Sequence, residues 1–184
     1  MRHPVYYWLK SKRFILGKKR KENMVRIKTK KEIEKMTDSC KLASDVLEMI
    51  SEHIQEGVTT HELDRICHDF IVDHGAYPSS LNYHGFPKSV CISPNETVCH
   101  GIPSKKSRLK QGDILNIDVT VHYNGYHGDT SRMYTVGQIS DRARRLIEVT
   151  EEAMYRGIAA AGPNKRLGDV GHAIQSFTES QGFS

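Results

Sequence analysis

The chain has 184 residues with ordinary apolar and charged fractions, enough for one domain, or a large part of one, with a buried core. No stretch approaches the ~20 apolar residues that span a bilayer, and the amino terminus has no clean apolar run before a small-residue cleavage site. A membrane partner is therefore not expected, and a cytoplasmic location is.

The net charge of +5 hides an asymmetry, because residues 1 to 31 hold 12 Lys or Arg against the single acid Glu22, which leaves 15 basic and 21 acidic residues in the remainder. Residues 1 to 23 read as a basic extension, disordered or not native. The run Lys18-Lys19-Arg20-Lys21-Glu22-Asn23 before Met24 is what a purine-rich ribosome-binding site would encode if translated. The other reading of this run is a flexible arm that attracts nucleic acid. Cys40, Cys67, Cys91 and Cys99 are widely spaced and form no CxxC pair, so reduced, buried thiols are expected.

The first predicted helix runs from Lys30 to Glu56. Ile33, Met36, Cys40, Ala43, Leu47, Ile50 and Ile54 recur at steps of three and four, Thr29 and Glu32 form a capping box, and Gly57 supplies a stop. A second helix opens on the capping box of Thr59 and Glu62, turns Leu63, Ile66, Phe70 and Ile71 inward, and closes at Gly75. From Ala76 to Pro103 short β-rich pieces alternate with Gly, Pro and Asn. Within them Ser89 to Ser93 and Glu96 to His100 read as strands.

Leu115, Ile117, Val119 and Val121 then alternate with Asn116, Asp118, Thr120 and His122, the period of a strand with one polar face. Asn124-Gly125 is the favoured two-residue turn, so Ile114 to Val136 is predicted to be a β-hairpin. Two helices follow, one from Asp141 to Ala161 capped by Ser140. The other, from Leu167 to Gln181, is expected to bury Leu167, Val170, Ile174 and Phe177.

If the turn pairs Tyr123 with Tyr126, Thr120 opposes Asp129 and Asp118 opposes Ser131, with a bulge at Gly128 as the alternative register. Asp118 and Asp129 then lie diagonally on one face, ~7–8 Å apart between backbones, close enough to share one or two cations. Two facing acids repel unless a cation intervenes. Oxygen ligands joined by imidazole suit Mn, Fe(II), Co or Zn, and paired metals activate water for attack on a carbonyl. On spacing alone, solvated surface acids are the commoner reading. His100, before Gly101-Ile102-Pro103, sits where a strand turns outward, a frequent place for a working side chain.

Four runs in order, Tyr83 to Ser93, Asn95 to Pro103, Gly112 to Val121 and Gly125 to Ser131, strongly resemble the bacterial type I methionine aminopeptidases, with matches from about Ile27 to Ser184. The resemblance implies an α/β (α+β) chain of the pita-bread fold, whose curved antiparallel sheet holds two divalent metal ions (Co, Mn, Fe or Zn). Residues 24 to 184 would be a partial catalytic domain, the N-terminal half plus two helices of the second half, with an incomplete sheet. The implied activity is metal-dependent removal of the initiator methionine from nascent polypeptides, in a monomer acting near the ribosome.

By that match Asp118 chelates one metal and Asp129 bridges both, Thr120 orients a carboxylate, and His100 contacts substrate at the scissile bond. Tyr83, His84, Phe86 and Cys91 line the pocket for the methionine side chain, and the backbone oxygens of Asn95 and Thr97 hold a monovalent cation. Ser80 and Phe86 stand where the family often has Cys and Tyr. The family also continues with a metal-binding His, a second His and two Glu ligands beyond the position of Ser184, so the 184-residue chain is expected to be inactive by itself. The alternative is a non-catalytic pita-bread module that associates with ribosome or RNA.

Overall fold

Thr29 opens the first helix of the computed structural model, which describes residues 26–184. The basic extension expected at residues 1 to 23 lies outside the described residues. Both halves of the Thr29–Glu32 capping box form, and α1 spans Lys30–Ile50. The helix stops short of Glu56. Ser51–His53 make a 3-10 turn and Ile54 is extended, because the next segment is drawn into another pairing. Gly57 donates to the Leu109 carbonyl at 2.8 Å and Leu109 donates back to Val58 at 2.9 Å, which an uninterrupted helix would forbid.

Met36, Ala43, Leu47 and Ile50 are buried as expected, but Ser39, Leu42 and Val46 join them while Ile33 is 45% exposed. The inward stripe of α1 is thus broader and rotated from the one read off the sequence. Helix α2, Thr60–Asp73, carries the second capping box. It buries Leu63, Ile71 and also Cys67, with Ile66 and Phe70 partly covered against the same core.

The sheet begins with the two-residue strand β1, Tyr77–Pro78, followed by β2, Cys91–Pro94. Ser89 and Val90 precede β2 rather than belonging to it, and Glu96 to His100 form no strand. Asn95 ends the extended run with φ 49°. Its side chain bonds elsewhere, donating to Asp113 at 3.0 Å and accepting from the Ile114 amide at 3.1 Å.

Strands β3, Ile114–Tyr123, and β4, Tyr126–Thr135, form the predicted hairpin with Tyr123 opposite Tyr126 and no bulge at Gly128, which pairs with Val121. Asn124 and Gly125 take positive φ values of 52° and 85°, as the tight turn requires. Strand β4 occupies one edge of β3 along its length, and β1 and β2 lie one after the other along the opposite edge, all antiparallel.

The alternation of β3 sorts the two faces. Leu115, Ile117, Val119 and Val121 are fully buried in a core shared with α1 and α2. Helix α1 approaches β4 so closely at Gly128 that a Cβ there would collide with the Ser39 carbonyl and the Cys40 amide. Ser39 itself donates at 2.8 Å to the Tyr123 carbonyl beside the hairpin turn. The Tyr134 hydroxyl donates at 2.5 Å to the Leu47 carbonyl, fastening the other end of the same contact.

The described chain divides into two compact units, one ending at Val136 and the other Gly137–Ser184. The second contains α3, Asp141–Ala160, capped by Ser140, and α4, Leu167–Ser180. Gly157 of α3 lets the Ile174 and Val170 side chains approach, and Arg156 stacks over Phe177 at 4.0 Å. No residue of α4 is fully buried, contrary to the expectation for Leu167, Val170, Ile174 and Phe177. Leu167, at the first turn, is 88% exposed, because the apolar contacts with α3 fall on the next turns of α4.

Candidate metal centre

The polar face of β3 and β4 carries the acids. Asp118 faces Ser131 across the hairpin and Thr120 faces Asp129, so the two carboxylates lie diagonally on the side away from α1. The Thr120 hydroxyl donates to Asp129 at 3.0 Å and holds its orientation. Among the described residues no donor is hydrogen-bonded to the Asp118 carboxylate. Burial first, and then the neighbouring Asp129 charge, push its pKa up from 3.8 to about 6, with His100 pulling the other way.

A partly buried acid without a donor, diagonal to a second acid, offers the donor chemistry of a divalent cation site, and the carboxylates present fit such an ion. Among the described residues no three His, Cys, Asp or Glu side chains group together to hold a metal.

Cys91 of β2 stands opposite Asp118 on the other side of β3 and shares its face. Burial and the Asp118 charge push its thiol up to about 12, so it is neutral and apolar in character. Cys67 and Cys91 are the buried thiols; Cys40 is half-buried, and Cys99 is exposed because it lies in the irregular segment rather than in a strand.

His100 has φ 55°, a backbone conformation that costs a non-glycine residue energy. The next residue explains how it is held there. Ile92 of β2 donates to the Gly101 carbonyl at 3.0 Å, and Gly101 donates to the Ser93 hydroxyl at 3.1 Å. A Cβ on Gly101 would strike the Ile92 carbonyl. The exposed His100 imidazole is thereby kept near enough to Asp118 to act on its charge.

Tyr83 and His84 lie on a 3-10 turn, Tyr83–Gly85, that begins after left-handed Asn82 and contains left-handed His84. Their rings meet edge to face at 4.4 Å, Tyr83 is 64% exposed, and Phe86 is half-buried. Asn95 and Thr97 occupy the turn between β2 and His100, where Thr97 donates to the Pro94 carbonyl at 3.0 Å.

One residue that positions this site has no sequence motif. Asp64 of α2 is 5% exposed and accepts from the Ser89 and Val90 amides at 2.8 and 3.2 Å, with Lys88 3.4 Å away. It fixes the entry to β2 and so the placement of Cys91.

Comparison with known proteins finds a matching family model and several relatives. The family model for metallopeptidase family M24 matches residues 34–184. The methionine aminopeptidase of Haemophilus influenzae is 56% identical over 160 residues, covering 86% of this chain and 60% of that protein. That of Escherichia coli K12 is 51% identical over 161 residues, covering 87% and 61%. The chain spans about 60% of the length of the curated relatives it matches. Among solved structures, the methionine aminopeptidase of Rickettsia prowazekii superposes with a TM-score of 0.83 at 51% identity, over 85% of this chain and 63% of that one. The prolidase of Pyrococcus furiosus gives a TM-score of 0.73 at 25% identity, over 85% and 44%.

Proposed function

The chain belongs to metallopeptidase family M24 and has the pita-bread fold with an open, incomplete curved sheet, and on this footing we propose that it serves metal-dependent removal of the initiator methionine from nascent polypeptides. The observation that carries the reading is the diagonal of Asp118 and Asp129 on the polar face, with Thr120 bonded to Asp129. The relatives named as methionine aminopeptidases support the substrate class.

In this reading Asp118 and Asp129 would hold the divalent ions, drawn from Co, Mn, Fe or Zn, with Asp129 serving both. When bound, the ions supply Lewis acidity toward the scissile carbonyl. Thr120 keeps the Asp129 carboxylate aimed, which spares the ion the cost of ordering it. His100, fixed by the Gly101 contact, hydrogen-bonds substrate at the scissile amide. Tyr83, His84, Phe86 and the neutral Cys91 thiol receive the methionine side chain, whose soft thioether suits aromatic and sulfur-lined walls. A monovalent cation on the backbone oxygens of Asn95 and Thr97 completes the proposed site. The ribosome is the proposed partner of the basic residues 1 to 23, with an association that weakens steeply as salt is added.

Two carboxylates hold a divalent ion weakly. The 184-residue chain is expected to bind Mn²⁺ with modest affinity through this pair. Titration of Mn²⁺ followed by electron paramagnetic resonance tests the site: Asp118→Asn and Asp129→Ala should each abolish the bound signal. A bound signal that survives both substitutions removes the basis of the proposal.

A further inference from the structure

The polar face of the hairpin continues past the aspartates toward its turn, where two histidines stand that the proposed reaction does not use. His122 and His127 are direct cross-strand partners, so both leave the sheet on the side that carries Asp118. Their ring centroids are 4.8 Å apart with the planes inclined at 43°. A ring nitrogen binds a transition ion at ~2.0–2.1 Å, which puts each centroid ~3.2 Å from the ion. Two centroids 4.8 Å apart then subtend about 97° at a shared ion, between the square-planar and tetrahedral angles.

A second observation concerns orientation. The Ser79 hydroxyl lies 2.9 Å from Nδ1 of His127, leaving Nε2 as the free nitrogen. Imidazoles that bind metals are commonly held in this way through their other nitrogen. Both rings are exposed, so water can complete the shell. Asp129, the nearest acid along β4, is already bonded to Thr120.

We propose that His122 and His127, with Ser79 orienting the latter, form a two-imidazole site for a borderline divalent cation such as Zn²⁺, Ni²⁺ or Cu²⁺, separate from the aspartate pair. Imidazole selects these ions over Mg²⁺ and Ca²⁺, which prefer an all-oxygen shell. The site lies two residue pairs beyond Thr120 and Asp129 toward the turn, so an ion there sits beside the cleft without sharing its carboxylates.

Calorimetric titration of the full chain with Ni²⁺ tests this, using an Asp118→Asn/Asp129→Asn background in which the acid pair is silent. Besides the equivalent taken by the amino-terminal Met1-Arg2-His3, one equivalent should remain; His122→Ala and His127→Ala should each weaken it at least ~10-fold, and Mg²⁺ should give no heat. His172→Ala, on α4, should change nothing. Should the double variant fail to fold by circular dichroism, the unsubstituted chain still reads the site as the Ni²⁺ equivalent lost on His122→Ala alone. A Ni²⁺ isotherm unchanged by His122→Ala, or weakened equally by His172→Ala, would overturn the proposal.

Discussion

Asp118→Asn should make the metal-free protein more stable at neutral pH while removing its capacity for metal. Burial and Asp129 raise the carboxyl from 3.8 to about 6, so between those values the folded chain binds more protons than the unfolded one. Stability from this group is therefore greatest at low pH and falls as pH rises through the window, and by pH 7.5 the full cost is present. At ~1.4 kcal/mol per pH unit the shift would amount to about 3 kcal/mol. Asp118 is only half-buried and water screens part of the repulsion, which brings the expected gain to about 1–2 kcal/mol.

Urea unfolding in EDTA, compared at pH 7.5 and pH 4, measures the effect. The variant should lead at pH 7.5 and lose its lead at pH 4, where the wild-type carboxyl is largely protonated in the folded state. Saturating Mn²⁺ should reverse the order, since an ion at 100 times its Kd adds about 2.7 kcal/mol to the chain that binds it. A variant no more stable than wild type at pH 7.5, or one whose advantage persists unchanged at pH 4, would refute the electrostatic account.

Three further outcomes can be checked by the same methods. Gly128→Ala drives a methyl into the Ser39 backbone and should cost about 2–3 kcal/mol in urea, with the loss confined to stability rather than to strand content. Asp64→Ala strands the Ser89 and Val90 amides and removes the carboxylate beside Lys88, leaving that ammonium only its contact with His61; a loss of about 3 kcal/mol is expected, and Asp64→Asn, which keeps one acceptor oxygen, should recover part of it. Thr120→Val preserves shape but releases Asp129, so Mn²⁺ affinity should fall ~10-fold while the thermal midpoint without metal stays near wild type.

The hairpin and its register were legible in the sequence because both signals are local: the two-residue alternation of Leu115 to His122 and the Asn124-Gly125 turn demand one pairing. The diagonal of Asp118 and Asp129 followed by arithmetic. Capping boxes at Thr29 and Thr59 were equally local and formed as read. The expected strand at Glu96 to His100 failed for a nonlocal reason, since Asn95 bonds to Asp113 and Ile114 on another segment and turns the chain out of the sheet.

Asp64 was invisible for the same cause: one acid on a helix gives no sign that it caps amides 25 and 26 positions away. The periodicity of α4 located the helix, yet it could not say how deeply that face would be covered. Gly128, weighed as a bulge, instead marks the place where a helix backbone touches a strand. Only the comparison of surfaces in three dimensions separates these uses of glycine.

The turn at Asn124 and Gly125 also imposes a rule of parity on the cleft. With side chains alternating along β4, sliding its pairing by a single residue would swing Asp129 and Ser131 onto the helix side and bring Thr130 and Arg132 into their place. The hairpin can therefore grow or shrink only by whole residue pairs, one from each strand, if its acids are to keep company. A lone inserted residue must be absorbed in the loop, where it leaves the ladder untouched.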